Sequence, residues 1–113
     1  MSDRLQAIID RQRAFDAARG WNAYDQELSE EEFVKALHYT TVNMLGELGE
    51  FANEVKKSHR EGSLRISELR EELTDTFIYL LKLSLLLDMD LNAEHEKKVA
   101  KNEIRFAHHK KTK

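Results

Sequence analysis

A run of apolar side chains at helical spacing occupies the middle of the chain and constrains the fold more than any other feature. From Phe33 to Val55 an apolar residue or a threonine recurs every three or four positions, which places these residues on one face of an α-helix. No proline interrupts the 113-residue sequence, and glycine occurs only four times. Because these two residues break helices most strongly, the pattern predicts an all-α fold built from long helices.

The same reasoning predicts four helices joined by short connections. Gly20 should end the first helix, and Ser29 should cap the second, with Glu32 completing a capping box. Asn92 is the expected cap of the fourth helix. The predicted helices span residues 3–19, 29–58, 65–87 and 92–109.

The C-terminal half of the third helix predicts a subunit interface. Between Phe77 and Leu87 it is apolar nearly all the way round, so it should be covered from more than one side. A monomer of this length has little surface available for that purpose. We expect a single domain over residues 1–113, with a motif-bearing core at about 21–106 and a basic tail at 107–113. This domain should form a four-helix bundle that assembles as a homodimer or homotetramer.

Charge and hydropathy exclude several classes of protein. The formal net charge is −3, so no nucleic-acid partner is expected. The absence of cysteine excludes disulfides and thiolate metal sites. The longest apolar stretch, 80–87, is interrupted by Lys82 and Ser84 and is too short to span a bilayer. The first residues lack the apolar core of a signal peptide. A cytoplasmic protein without a membrane partner is therefore expected.

Four carboxylates are placed on facing sides of the second and third helices. Glu47 and Glu50 are three residues apart, as are Glu72 and Asp75, so each pair lies on one helix face. In an antiparallel hairpin, the position numbers of facing residues have a constant sum. Glu47 with Asp75 and Glu50 with Glu72 both give 122, so the four side chains should converge across the helix pair.

Such a cluster predicts a bound divalent cation, because carboxylates a few ångströms apart repel one another. All-oxygen ligands favour Mg²⁺ or Mn²⁺, and Mg²⁺ commonly completes its shell with substrate phosphates. Glu54 and Glu68 share the same sum and predict a further acidic layer. A solvated helix face is the simplest alternative. A di-iron carboxylate bundle is another, but Glu50 and Asp75 stand where its Glu-x-x-His motifs require histidine.

Basic residues on the fourth helix form a second pattern. Lys98, Lys101 and Arg105 share one helix face, with Asn102 beside them. Opposite an acidic metal site, this basic stripe would bind phosphate oxygens, and the Asn102 amide would hold a sugar or a base. The alternative is a solvated face whose lysines and arginine pair with neighbouring glutamates.

Three segments together resemble the MazG-type nucleoside triphosphate pyrophosphohydrolases of the all-α NTP pyrophosphatase group. They are GELGE at 46–50, EELTD at 71–75 and KNEIRF at 101–106, and the resemblance extends over about 21–106. It implies hydrolysis of a nucleoside triphosphate to the monophosphate and pyrophosphate. It also implies house-cleaning of the nucleotide pool by dimers or tetramers with sites at or near subunit interfaces.

The resemblance implies roles for individual residues as well. The magnesium ligands would be Glu47, Glu50, Glu72 and Asp75. The nucleotide contacts would be Lys101, Asn102 and Arg105, with Trp21 helping to enclose the base.

The expected reaction is metal-assisted attack of water on the α-phosphorus, with Glu50 or Glu47 accepting the proton of the water. Lys101 and Arg105 would offset charge on the leaving pyrophosphate. Two other functions are compatible with the sequence. One is phosphoribosyl-ATP pyrophosphohydrolase activity, which shares this chemistry. The other is a non-enzymatic helical oligomerisation module, which would bind no magnesium.

Overall fold

The computed structural model describes residues 3–109, which form four α-helices, two 3-10 turns and no β-strand. The α-helices are α1 (Asp3–Ala17), α2 (Glu30–Glu61), α3 (Ile66–Leu86) and α4 (Leu91–Arg105), and the 3-10 turns are Ala23–Asp25 and Ala107–His109. The predicted all-α fold is thereby confirmed. None of these helices is both long and apolar enough to cross a bilayer.

The N-terminus of α2 is fixed by the predicted capping box. The Ser29 hydroxyl accepts a hydrogen bond from the Glu32 N–H at 3.2 Å, and the Glu32 carboxylate accepts one from the Ser29 N–H at 2.9 Å. Two of the N–H groups at the helix start are thus satisfied by side chains.

The ends of α1 and α2 differ from the predicted ends by up to one turn. Helix α2 continues to Glu61 instead of stopping at Ser58, and Gly62 closes it with a φ of +70°. Its last turn carries Arg60, whose charge is favourable at a helix C-terminus, so the helix runs on until glycine permits the left-handed conformation. Helix α1 ends at Ala17, before a turn that closes at Gly20, where φ is +71°.

Both predicted limits of α4 are wrong. Asp90, not Asn92, is the cap, and its carboxylate accepts a hydrogen bond from the Ala93 N–H at 3.1 Å. Asp88 adopts the left-handed conformation (φ 51°) and ends the preceding turn early enough for α4 to start at Leu91. At its other end α4 stops at Arg105, and the 3-10 turn takes over part of the length predicted as helix. Of the basic tail predicted at 107–113, residues 110–113 lie outside the described residues.

The packing centre of the chain is the antiparallel hairpin of α2 and α3. The 3-10 turn at Ala23–Asp25 packs on α3, and α1 reaches α3 through an ion pair between Asp16 and Lys82. Helix α4 packs closely only on the 3-10 turn that follows it, so the described part of one chain does not close into a four-helix bundle.

A single chain consequently has almost no interior. Leu81 is the only apolar side chain among the described residues that is fully buried. The radius of gyration is 17.6 Å, against about 13 Å for a compact domain of this length. Much of the apolar surface of α2 and α3 is thus not covered by other parts of the same chain.

Candidate metal centre and adjoining cleft

Three carboxylates converge where α2 and α3 face each other. Glu47 and Glu50 lie one turn apart on α2, and Glu72 approaches them from α3, so that one oxygen of each lies within 4.8 Å of the others. Glu47 and Glu72 are half-buried, while Glu50 is exposed. The cluster therefore has a sheltered side between the helices and a side that is open to a ligand.

Asp75, the fourth predicted ligand, lies next to this cluster but is not one of its three members. It follows Glu72 by one turn of α3, and together with Glu47 it lines a cavity of about 350 Å³. Its negative charge acts on both Glu47 and Glu72. Asp75 is thus placed at the edge of the cluster, facing the adjoining cleft.

Protonation of the cluster is easier than for isolated glutamates when no cation is bound. Burial raises the pKa of Glu47, and the charges of Glu50 and Asp75 raise it further. The pKa of Glu72 is also raised, by burial and by the charge of Glu50. The interaction between the side chains of Glu47 and Glu72 raises the pKa of Glu47 and lowers that of Glu72. A hard cation fits this all-oxygen donor set and would compete with protons for it.

The shifted pKa values predict that magnesium binding releases a proton. A cation requires both carboxyl groups ionised, so affinity should fall as the pH falls through the pKa of Glu47, which burial and the charges of Glu50 and Asp75 raise. Calorimetric titration with Mg²⁺ in two buffers of different ionisation enthalpy measures the protons released. We expect release at mildly acidic pH in the wild type and much less in Glu47→Gln. Magnesium affinity that is independent of pH down to the usual glutamate range would contradict this.

Glu54, expected to face Glu68 in a second acidic layer, is paired with basic side chains. It lies 3.9 Å from both Lys57 Nζ and Arg65 Nη1. Arg65 also binds Glu61 at 3.0 Å, which ties the end of α2 to the start of α3. Lys57 and Arg65 therefore neutralise the charge of Glu54. The acidic cluster with unbalanced charge is confined to Glu47, Glu50 and Glu72.

The basic stripe on α4 is not brought to the carboxylates by its own chain. Lys98, Lys101 and Arg105 are exposed, Asn102 is half-buried, and α4 does not pack substantially on either helix of the hairpin. The ion pair observed within α4 joins Glu94 to Lys97, which is not a member of the stripe.

An aromatic cleft adjoins the carboxylates. Trp21, Tyr79 and Lys82 line the cavity that also contains Glu47 and Asp75, and the same three residues line a neighbouring cavity of about 640 Å³ that extends to Tyr39. Trp21, predicted as a nucleotide contact, thus stands beside the acidic cluster. Burial raises the pKa of Tyr79, as do the nearby charges of Glu47 and Asp75, so its hydroxyl stays protonated.

Two residues of this cleft are not marked as site residues by the sequence pattern. Tyr79 and Lys82 lie in a stretch that hydropathy identifies as packing surface. Their positions four and seven residues after Asp75 nevertheless place all three on one face of α3. A search of the third helix for polar residues on the same face as the predicted ligand Asp75 would have found them.

No protein-family model, no curated protein and no solved structure matches the chain.

Proposed function

We propose that this protein hydrolyses nucleoside triphosphates, including deoxynucleoside triphosphates, to the monophosphate and pyrophosphate in a magnesium-dependent reaction. The observation that carries the proposal is the convergence of Glu47, Glu50 and Glu72 beside a cleft lined by Trp21 and Tyr79. A cation site for phosphates next to an aromatic site for a planar ring matches the two ends of a nucleotide. House-cleaning of the cytoplasmic nucleotide pool is the physiological role that we propose, in line with the resemblance to MazG-type enzymes.

Glu47, Glu50 and Glu72 would hold the cation, with Asp75 reaching it from the edge of the cluster. Magnesium, or manganese in its place, would polarise the phosphate oxygens and promote ionisation of water. Glu50 is the most exposed carboxylate of the three, which suits it to accept a proton from water. Glu47 is held by Glu72 and is the second candidate for this role.

A second copy of the chain would complete the site and the fold. The accessible surface is 9195 Å², against about 6,400 Å² for a compact monomer of 13.2 kDa, which leaves an excess of about 2,800 Å². A stable interface buries about 800 Å² per partner, so the excess is ample for a permanent homodimer or homotetramer. We propose that the partner's α4 brings Lys98, Lys101, Asn102 and Arg105 to the phosphates.

The surface for that second copy is a continuous apolar face on the hairpin. On α3 the exposed residues Leu73, Phe77 and Leu80 follow helical spacing along one side, and the exposed cap residue Leu87 continues it. On α2 Gly49 faces open space, since a side chain built there would meet no atom within 4 Å. A partner helix can therefore approach the backbone of α2 closely.

The first test is the identity of the product. We expect pyrophosphate, and no orthophosphate, to be released from deoxynucleoside triphosphates when Mg²⁺ is present, and no release when it is chelated. Release of orthophosphate would place the attack on the terminal phosphorus and contradict the proposal. Phosphoribosyl-ATP in the same panel tests the related activity. A protein that neither binds Mg²⁺ nor hydrolyses any nucleotide would be an oligomerisation module.

The second test is the mass in solution. We expect a homodimer or homotetramer at micromolar concentration by sedimentation, because a lone chain exposes apolar surface typical of an interface. Leu80→Glu should lower the mass, since it buries a charge within the apolar face of α3. Leu64→Glu, on the exposed loop between α2 and α3, is the matched control and should leave the mass unchanged. A wild-type monomer would contradict the expected assembly.

A further inference from the structure

Lys82 occupies an unusual position for a lysine in this protein. Its side chain is mostly buried, with 18% exposed, and its ammonium lies 5.7 Å from the ring centre of Trp21 and 5.4 Å from that of Tyr79. It lines both cavities of the cleft. A cation packed between aromatic rings in a ligand-sized cleft is well placed to bind whatever the rings enclose.

The positive charge of Lys82 is balanced by the carboxylate of Asp16. The Asp16 carboxylate is fully buried and accepts hydrogen bonds from Tyr24 Oη at 2.6 Å and Gln12 Nε2 at 2.9 Å. It lies 3.6 Å from Lys82 Nζ, which is an ion-pair distance and longer than a hydrogen bond. The N–H groups of Lys82 therefore retain the capacity to donate to a ligand while its charge is already balanced.

A charge-balanced ammonium favours a neutral acceptor over a phosphate. The buried negative charge of Asp16 would repel a phosphate group placed on the same lysine. Position leads to the same conclusion, because the backbone of Lys82 lies seven residues beyond that of Asp75 on α3, about 10 Å along the helix axis. With the phosphates at the carboxylate cluster, Lys82 lies at the nucleoside end of the substrate.

We propose that Lys82 determines base specificity by donating a hydrogen bond to a ring carbonyl oxygen of the nucleobase. Thymine, uracil, cytosine and guanine carry such an oxygen, and adenine does not. The ammonium has only donors, so the amino group of adenine placed there would leave both groups unpaired. This inference rests on the proposed function, because it takes the cleft to be the place where the base of the substrate binds.

Monophosphates without magnesium test the inference separately from catalysis. Trp21 is the only tryptophan of the chain, so its fluorescence reports directly on binding in the cleft. We expect dGMP, dTMP and dCMP to bind at least about tenfold more tightly than dAMP, the difference expected for an unpaired group in a partly buried site. In Lys82→Met, which retains the apolar stem, this preference should fall below about threefold. Lys35→Met removes another lysine that lines the same cleft and should keep the preference.

A comparison of two ligands tests the inference on the wild-type protein alone. Deoxyinosine monophosphate should bind the wild type more tightly than the monophosphate of purine deoxyriboside, which lacks the 6-carbonyl. Equal binding of these two, or an undiminished preference in Lys82→Met, would overturn the proposal. Equal weakening of all monophosphates in Lys82→Met, with inorganic phosphate competing in the wild type, would show a phosphate contact and also overturn it. Failure to release pyrophosphate from any triphosphate would instead refute the proposed function.

Discussion

Glu50→Gln and Asp75→Asn are each expected to lower the rate of pyrophosphate release by at least about 100-fold, because a bound cation contributes several kcal/mol to such a reaction. Both changes keep the size of the side chain and remove its charge. Glu54→Gln is the matched control, since Glu54 lies one turn from Glu50 on α2 but is balanced by Lys57 and Arg65. We expect this control to retain activity. Equal rates in the wild type and Glu50→Gln would remove the carboxylate cluster from the reaction.

The same variants should behave differently from the wild type in thermal melts. Without Mg²⁺, the charge of Glu50 opposes ionisation of Glu47 and Glu72, and this repulsion acts in the folded state. Removing that charge should leave the metal-free melting temperature equal or higher. Saturation with Mg²⁺ at about 100 times its dissociation constant should stabilise the wild type by about 2.7 kcal/mol. We expect this stabilisation to shrink in Glu50→Gln and Asp75→Asn and to persist in Glu54→Gln.

The outcome of the melts separates a metal site from a solvated acidic face. If Mg²⁺ raised the melting temperature equally in the wild type and in both variants, Glu50 and Asp75 would not be ligands. Isolated surface carboxylates contribute little to stability, so a solvated face predicts small and similar effects at all three positions.

The features that sequence predicts well here are those fixed by local spacing. The four helices and the facing of Glu47 and Glu50 by Glu72 follow from helical periodicity and from the antiparallel hairpin. Glu54 could not be placed in this way, because its partner Arg65 comes from the turn after α2, whose geometry depends on where Gly62 ends the helix. The face of α3 could have identified Lys82 as a cleft residue, but its pairing with Asp16 could not be predicted, since Asp16 lies 66 positions earlier in the chain.

The position of α4 is the largest difference between sequence expectation and structure. The spacing of Lys98, Lys101 and Arg105 correctly puts them on one face, but spacing does not say which helix that face meets. In a single chain α4 meets neither α2 nor α3 to any substantial extent. Amphipathic helices are stabilised mainly by packing, and within the described residues α4 has little of it, which is why we propose that its neighbour is a second copy of the chain.

Mixing two inactive variants tests whether α4 acts on the hairpin of another subunit. One variant carries Glu50→Gln in α2, and the other carries Lys101→Ala with Arg105→Ala in α4. In a symmetric dimer with sites shared between subunits, each mixed dimer has one site with both defects and one with neither. Because half of the randomly reassembled dimers are mixed, activity should recover to about one quarter of the wild-type rate.

The control for this experiment comes from the hairpin, where Glu50 and Asp75 lie on α2 and α3 of one chain. A mixture of Glu50→Gln with Asp75→Asn should stay inactive, because every site in a mixed dimer then has one of the two defects. Recovery in the α2 and α4 mixture alone requires that the carboxylates come from one subunit and the basic stripe from the other. If neither mixture recovers although mixed dimers form, α4 must fold back onto its own hairpin in the active protein. The partner would then cover apolar surface without supplying any residue to the phosphates.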